Sequence, residues 1–553
     1  MDLEFLTKKP FYLNTEQLKW VQDSFDSLSL REKAGQLFCI LADLYSEAEM
    51  EKLVQDDNVG GILMRPLPME ELLHRYRKYD QLSKIPLIKA ANLEEGGNGA
   101  IAEGTRMGCQ LQIAAANNVK WAKRLGEVCG REAELVGINM TFSPDADIDF
   151  NFRNPITNTR TFGSDPETVK NMTQAYMEAI QKQGIAACAK HFPGDGVDYR
   201  DQHLHATINA LTPDVWDRTY GKVYRNLIDK GIMGIMISHI KQPSYSKKIN
   251  PTLTDEQVLP ASLSKELMTS LLRDRLGFNG LNVIDATIMG GFCQSCSRYE
   301  ALNLCIESGG DLLVFNTDFR QDRDYLLLGL KKGILSQARF DKAVLRVLGT
   351  KAALKLPVKQ EHQTCKALPI KEWVNTLAKQ SITLVKNKEN IFPLNPHRQN
   401  TIRIIFVGNN EMVSSDLKIT ELVQKKFEKR GFKVEQYDVT KESLATTRKI
   451  SKKRIDLYLA NFETRSDQTT VRVNWTGKYV LDLPRFVYEV PSIFVSLANP
   501  YHLQDVPEIR TYINAYTANE ETLKALVSKL CGEDSFTGIN PVDPTCGLLD
   551  TQL

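Results

Sequence analysis

Between Lys190 and His203 the chain reads KHFPGDGVDYRDQH, and its residue types are those of proton transfer. Asp201 stands two positions before His203. At that spacing on a loop, a carboxylate accepts a hydrogen bond from one imidazole nitrogen while the other nitrogen faces a substrate. This is a general acid/base arrangement, and it needs a partner across the reacting centre. Asp285 closes the apolar run Gly280-Leu-Asn-Val-Ile. A carboxylate there is stiff, partly desolvated and suited to attack an electrophilic carbon. His203 and Asp285 together give a two-group displacement site.

Such residues need a scaffold, and the first 350 residues describe one. Short apolar runs at 35–40, 59–64, 85–93, 137–143, 185–191, 231–240, 280–285 and 310–315 alternate with amphipathic stretches such as 121–135, 166–183, 212–229 and 262–276. Continuous hydrophobicity in the runs predicts parallel strands covered by helices, and eight strand–helix units predict a TIM-type (β/α)8 barrel, an α/β fold. Polar residues follow the expected strand ends: Asn92-Leu-Glu-Glu, Ser143-Pro-Asp145, Lys190-His191, Ser238-His239 and Asp285. In a barrel these ends converge on one face, where active sites sit. The catalytic domain is expected over 1–353. Residues 354–372 lose periodicity, carry two prolines and read as a linker. A smaller α/β sandwich domain is expected over 373–553, with strands at 381–386, 402–408, 433–438, 455–461 and 492–498 and helices at 415–430 and 520–530.

Charge is balanced, 70 Lys+Arg against 68 Asp+Glu, which gives no electrostatic case for nucleic acid or an anionic membrane as partner. The basic stretch 425–454 is interspersed with acids and reads as a solvated face. A small neutral substrate fits better. The N-terminus shows no secretory apolar core and no run approaches a spanning helix, so a cytoplasmic location is expected. Ten scattered cysteines read as reduced core residues; Cys293-Gln-Ser-Cys296 lacks a second ligand pair, so neither metal nor cofactor is expected. The acidic run Asp145, Asp147 and Asp149 is expected to fix the loop after strand four.

Lys190–His203 resembles the KHFPGHG…DSH signature of family 3 glycoside hydrolases of the bacterial β-N-acetylglucosaminidase type. Gly280–Gly291 is similar to that family's nucleophile segment, and Asn154–Gly163 to its NP-x-x-x-x-R-x-FG sugar loop. Ser381–Asn387 and Ser496–Tyr501 resemble paired segments of its second domain. The resemblance implies Asp285 as nucleophile, His203 as acid/base and Asp201 as the group that orients it. It implies Arg160, Lys190 and His191 as sugar ligands, with His239 beneath the nucleophile and Met289 close by. Retention of configuration follows from two displacements. The dyad points to terminal β-linked N-acetylglucosamine on cell-wall or chitin-derived fragments.

Two positions depart from the pattern. Asn92 stands where the family carries a hydroxyl-binding Asp, so a charge-assisted bond is lost, and Asp195 replaces the second His of the signature. Three alternatives remain open. An imidazole base does not repel phosphate as a glutamate would, which admits a phosphorylase. Glu463 could act as acid/base in a β-glucosidase or β-xylosidase arrangement. A non-catalytic carbohydrate-binding protein is the third reading. Oligomeric state is left open.

Overall fold

The computed structural model describes residues 2–358, 367–412, 417–441, 453–464, 466–467, 469–476 and 478–552. Residues 359–366 of the expected linker, and 442–452 of the basic stretch, lie outside the described residues. The chain divides into two compact units. The first comprises Met1–Thr105, Lys123–Asn151 and Pro166–Ala367. The second gathers Arg106–Ala122, Phe152–Asp165 and Leu368–Leu553. Two excursions from the barrel sequence therefore belong to the second unit.

The first unit is a closed parallel barrel of β1 (Phe38–Leu41), β2 (Gly61–Leu63), β3 (Ile88–Ala91), β4 (Met140–Thr141), β5 (Ala186–Phe192), β6 (Gly234–Ile237), β7 (Leu281–Ile284) and β8 (Leu312–Val314). Each strand pairs with its sequence neighbours, and β8 closes onto β1 through Phe38–Leu313 and Cys39–Val314. The TIM-type expectation holds, and every apolar run read as a strand overlaps one. All seven residues of β5 are buried, including Lys190 and His191 at its end, as both faces of a covered parallel sheet require.

Local chemistry sets several helix starts. Ser297 and Glu300 form a capping box that opens helix Arg298–Glu307 just behind the β7 loop. Where one helix was expected over 212–229, two occur, Pro213–Arg218 and Tyr220–Asp229. Thr219 breaks them at φ −113°, ψ −97°, outside the helical region. The helix expected over 262–276 begins as a 3₁₀ turn at Ala261–Leu263 and continues as a π-helix, Glu266–Arg275.

The second unit holds a six-stranded mixed sheet: β9 (Thr383–Asn387), β10 (Thr401–Gly408), β11 (Lys433–Gln436), β12 (Arg454–Asn461), β13 (Ser492–Ser496) and β14 (Thr511–Asn514). Their order is β9-β14-β13-β12-β10-β11, with only β9 antiparallel to its neighbour. One face packs Ile404, Leu457, Val495 and Ile513 against Leu422, Phe427 and Leu526 of two helices. Among the described residues no helix is long and apolar enough to cross a membrane.

Candidate active site

The loops after β3 to β7 carry the polar groups of the barrel mouth. Asp147, after β4, accepts from the His191 amide at 3.0 Å, the Asp195 amide at 2.7 Å and His191 Nδ1 at 2.6 Å. Burial opposes charge on His191, but Asp147, Asp145 and Asp285 outweigh it and raise the imidazole above its ordinary value. Lys190 Nζ lies 2.5 Å from Glu94 and 3.8 Å from Asp145. A buried ammonium of this kind is stable only when paired.

The His203–Asp201 pair is formed as the spacing implies. Asp201, 1% exposed, accepts from His203 Nδ1 at 2.7 Å and from the His203 amide at 2.8 Å. Its partner ring is half-buried and engages Asp201 through Nδ1, not Nε2. Asp285, at the end of β7, accepts from Ser238 Oγ and from the Ala286 amide, each at 2.8 Å. Burial pushes its carboxyl up, but His191, His239 and His203 together with the Ser238 bond hold it at about 2. It is ionised at neutral pH.

Main-chain hydrogen bonds join the two loops. Gly290 N donates to His203 O at 2.7 Å and Gly291 N to Gln202 O at 3.2 Å. A Cβ at Gly290 would stand 2.2 Å from Leu204 O, and one at Gly291 would stand 2.7 Å from Gln202 O. The Gly-Gly pair is therefore required by close backbone approach. Met289, buried, caps this turn. Arg298 braces it from behind, donating to Thr287 O at 2.5 Å and pairing with Asp322.

Residues 29–350 match the glycosyl hydrolase family 3 N-terminal domain. The chain belongs to this family. It is 37% identical to a "Beta-N-acetylglucosaminidase/beta-glucosidase" of Cellulomonas fimi, over 99% of this chain and all of that one. Among solved structures it is similar to "Beta-glucoside phosphorylase BglX", with 40% identity, a TM-score of 0.93 and complete coverage of both chains. A family 3 β-N-acetylglucosaminidase from Paenibacillus sp. str. FPU-7 shares the fold at 23% identity, with a TM-score of 0.78, over 94% of this chain and all of that one.

The other family 3 positions read from the sequence divide between the units. His239 is wholly buried after β6; Nε2 donates to Ala286 O at 3.1 Å and Nδ1 meets Ser262 Oγ at 2.9 Å, so both nitrogens are used within the protein. Burial pushes its pKa down to about 4. Asn92, after β3, is exposed. Arg160 belongs to the second unit, on a loop whose Asn158 and Thr159 bond to Asn499 and Thr464. Glu463 is in that unit too, paired with Arg106 at 2.7 Å.

Asp195 has a definite role. Its carboxylate accepts from Gln202 Nε2 at 3.2 Å, while Gln202 Oε1 accepts from the His239 amide at 3.0 Å. The Asp195 and Gln202 side chains, both absent from the KHFPGHG…DSH pattern, thus interlock and pin the dyad's loop to β6. The sequence reading missed Glu94 as the partner of Lys190. Its acidic pair at 94–95, just past a strand end, is the signal that was there to use.

Proposed function

We propose that this enzyme removes terminal β-linked glucosyl or N-acetylglucosaminyl residues with retention of configuration, and that orthophosphate is the acceptor. The observation that carries the chemistry is the juxtaposition of ionised Asp285 with the His203–Asp201 dyad through the Gly290 and Gly291 hydrogen bonds. Asp285 attacks C1; the bond from C1 to the leaving oxygen breaks, and that oxygen takes the proton of His203 Nε2. Asp201 holds the imidazole through Nδ1 and stabilises its cationic form. In the second displacement a phosphate oxygen attacks C1, the C1–Asp285 bond breaks, and the phosphate proton returns to Nε2. The product is a β-configured sugar 1-phosphate.

Lys190, His191 and Asn92 are assigned to sugar recognition, with His239 and Met289 supporting the nucleophile turn. Full-length likeness to a β-glucoside phosphorylase supports phosphate as acceptor. A second reading is hydrolysis of N-acetylglucosaminides, supported by the likeness to the Cellulomonas fimi β-N-acetylglucosaminidase/β-glucosidase. Turnover of nitrophenyl β-glucoside and β-N-acetylglucosaminide with increasing phosphate decides between them. Accelerated turnover with sugar 1-phosphate seen by phosphorus NMR is expected. Free sugar alone at saturating phosphate overturns the phosphate assignment and leaves hydrolysis.

A further inference from the structure

At the opposite end of the barrel, below the starts of β7 and β8, lies a second cavity of about 310 Å³ lined by Arg273, Arg339, Lys342 and Arg346. Two carboxylates face these four cations. Asp274 is exposed, while Asp311 is buried and already saturated: it accepts from Arg273 at 2.5 Å, Arg339 at 2.6 Å and the Asn282 amide at 2.9 Å. Positive charge is left over. Burial pushes Arg346 down to about 10, and burial with the three neighbouring arginines lowers Lys342.

Arg346 is 6% exposed, and its Nε, 3.9 Å from Asp311, makes no hydrogen bond; Arg339 Nη1 is likewise buried without an acceptor. Unfilled guanidinium donors beside a cavity mark a place for a bound acceptor. We propose that this cavity binds a compact phosphate-class oxyanion, either inorganic phosphate or the phosphoryl group of a small metabolite, at a site separate from the barrel mouth. The anion meets the free N–H groups of Arg339 and Arg346, with Lys342 at the rim. The site's volume exceeds that of one phosphate, so an attached organic group has room.

The test is thermal unfolding of the full chain with sodium phosphate or glycerol 3-phosphate, against sodium chloride at matched ionic strength. A rise in Tm of about 2–4 °C is expected. The rise should fall to less than half in Lys342→Glu and in Arg346→Gln, and persist in Asp285→Asn. Lys342 is exposed, so its variant folds and should keep wild-type turnover. Response to phosphate alone identifies the free ion, and response to the ester identifies a phosphorylated metabolite. No rise with either, or a rise that Lys342→Glu leaves intact, overturns the proposal.

Discussion

Two buried aspartates stand at opposite ends of neighbouring barrel strands, and they have been put to opposite uses. Asp285, at the end of β7, is held by one hydroxyl and one amide, and histidines supply its electrostatic support. Asp311, just before β8, is clamped by Arg273 and Arg339. Both carboxyls are held below their usual range despite burial. What differs is the partner. Guanidinium forks consume the lone pairs of Asp311 and make it a strut, whereas the light ties on Asp285 leave an anion with capacity to react.

The sharpest way to break this comparison is to neutralise each in turn. Asp285→Asn should lower kcat more than about a thousandfold while changing unfolding free energy by less than about 1 kcal/mol. Asp311→Ala should do the reverse in kind, destabilising by about 3–5 kcal/mol because it strands buried arginines. Steady-state kinetics and denaturant unfolding on the same preparations check both; equal stability losses would dissolve the distinction.

A smaller effect concerns acid. His239 is held neutral by burial, its pKa near 4 against an ordinary value of 6.5. Between those values the unfolded chain binds a proton that the folded chain refuses, so stability rises with pH. His239's share is complete above pH 6.5 and is lost as pH falls to about 4. His191, raised above 6.5, has the opposite sign and loses its contribution only at higher pH. The slope of stability against pH between 4 and 6.5 should therefore be shallower in His239→Asn by about one proton. Smallest is Gln202→Ser, which cuts the bonds to Asp195 and the His239 amide. A fall in kcat on the order of tenfold, with KM held and the acid limb of the kcat profile moved, is expected of a positioning role; a change in KM alone would argue against it.

The barrel was legible because its strands are mostly apolar and buried along their whole length, down to β4, where only Met140 and Thr141 pair. The Asp201–His203 hydrogen bond was legible because only two positions separate its partners, and Asp285 because it closes an apolar strand. Glu94 was not: its tie to Lys190 spans 96 residues and depends on the barrel bringing β3 and β5 close. Asp147 was legible as a loop fixer, but not that it does so through His191 and Asp195. β14 was missed because Thr511–Asn514 offers four residues, two of them polar. The break falls at Thr219 itself, two residues before Gly221, which sits inside the second helix and so does not mark it.

The contacts between Gly290, Gly291 and the carbonyls of Gln202 and His203 are made by main chain alone. They cannot be deleted by shortening a side chain, only by adding one at either glycine. The two loops are therefore a single heritable cassette. Tyr199 and Ile288, both solvent-facing, can vary while the main-chain pairing of the two loops stays fixed. A graft of one loop onto another barrel should fail unless its counterpart travels with it.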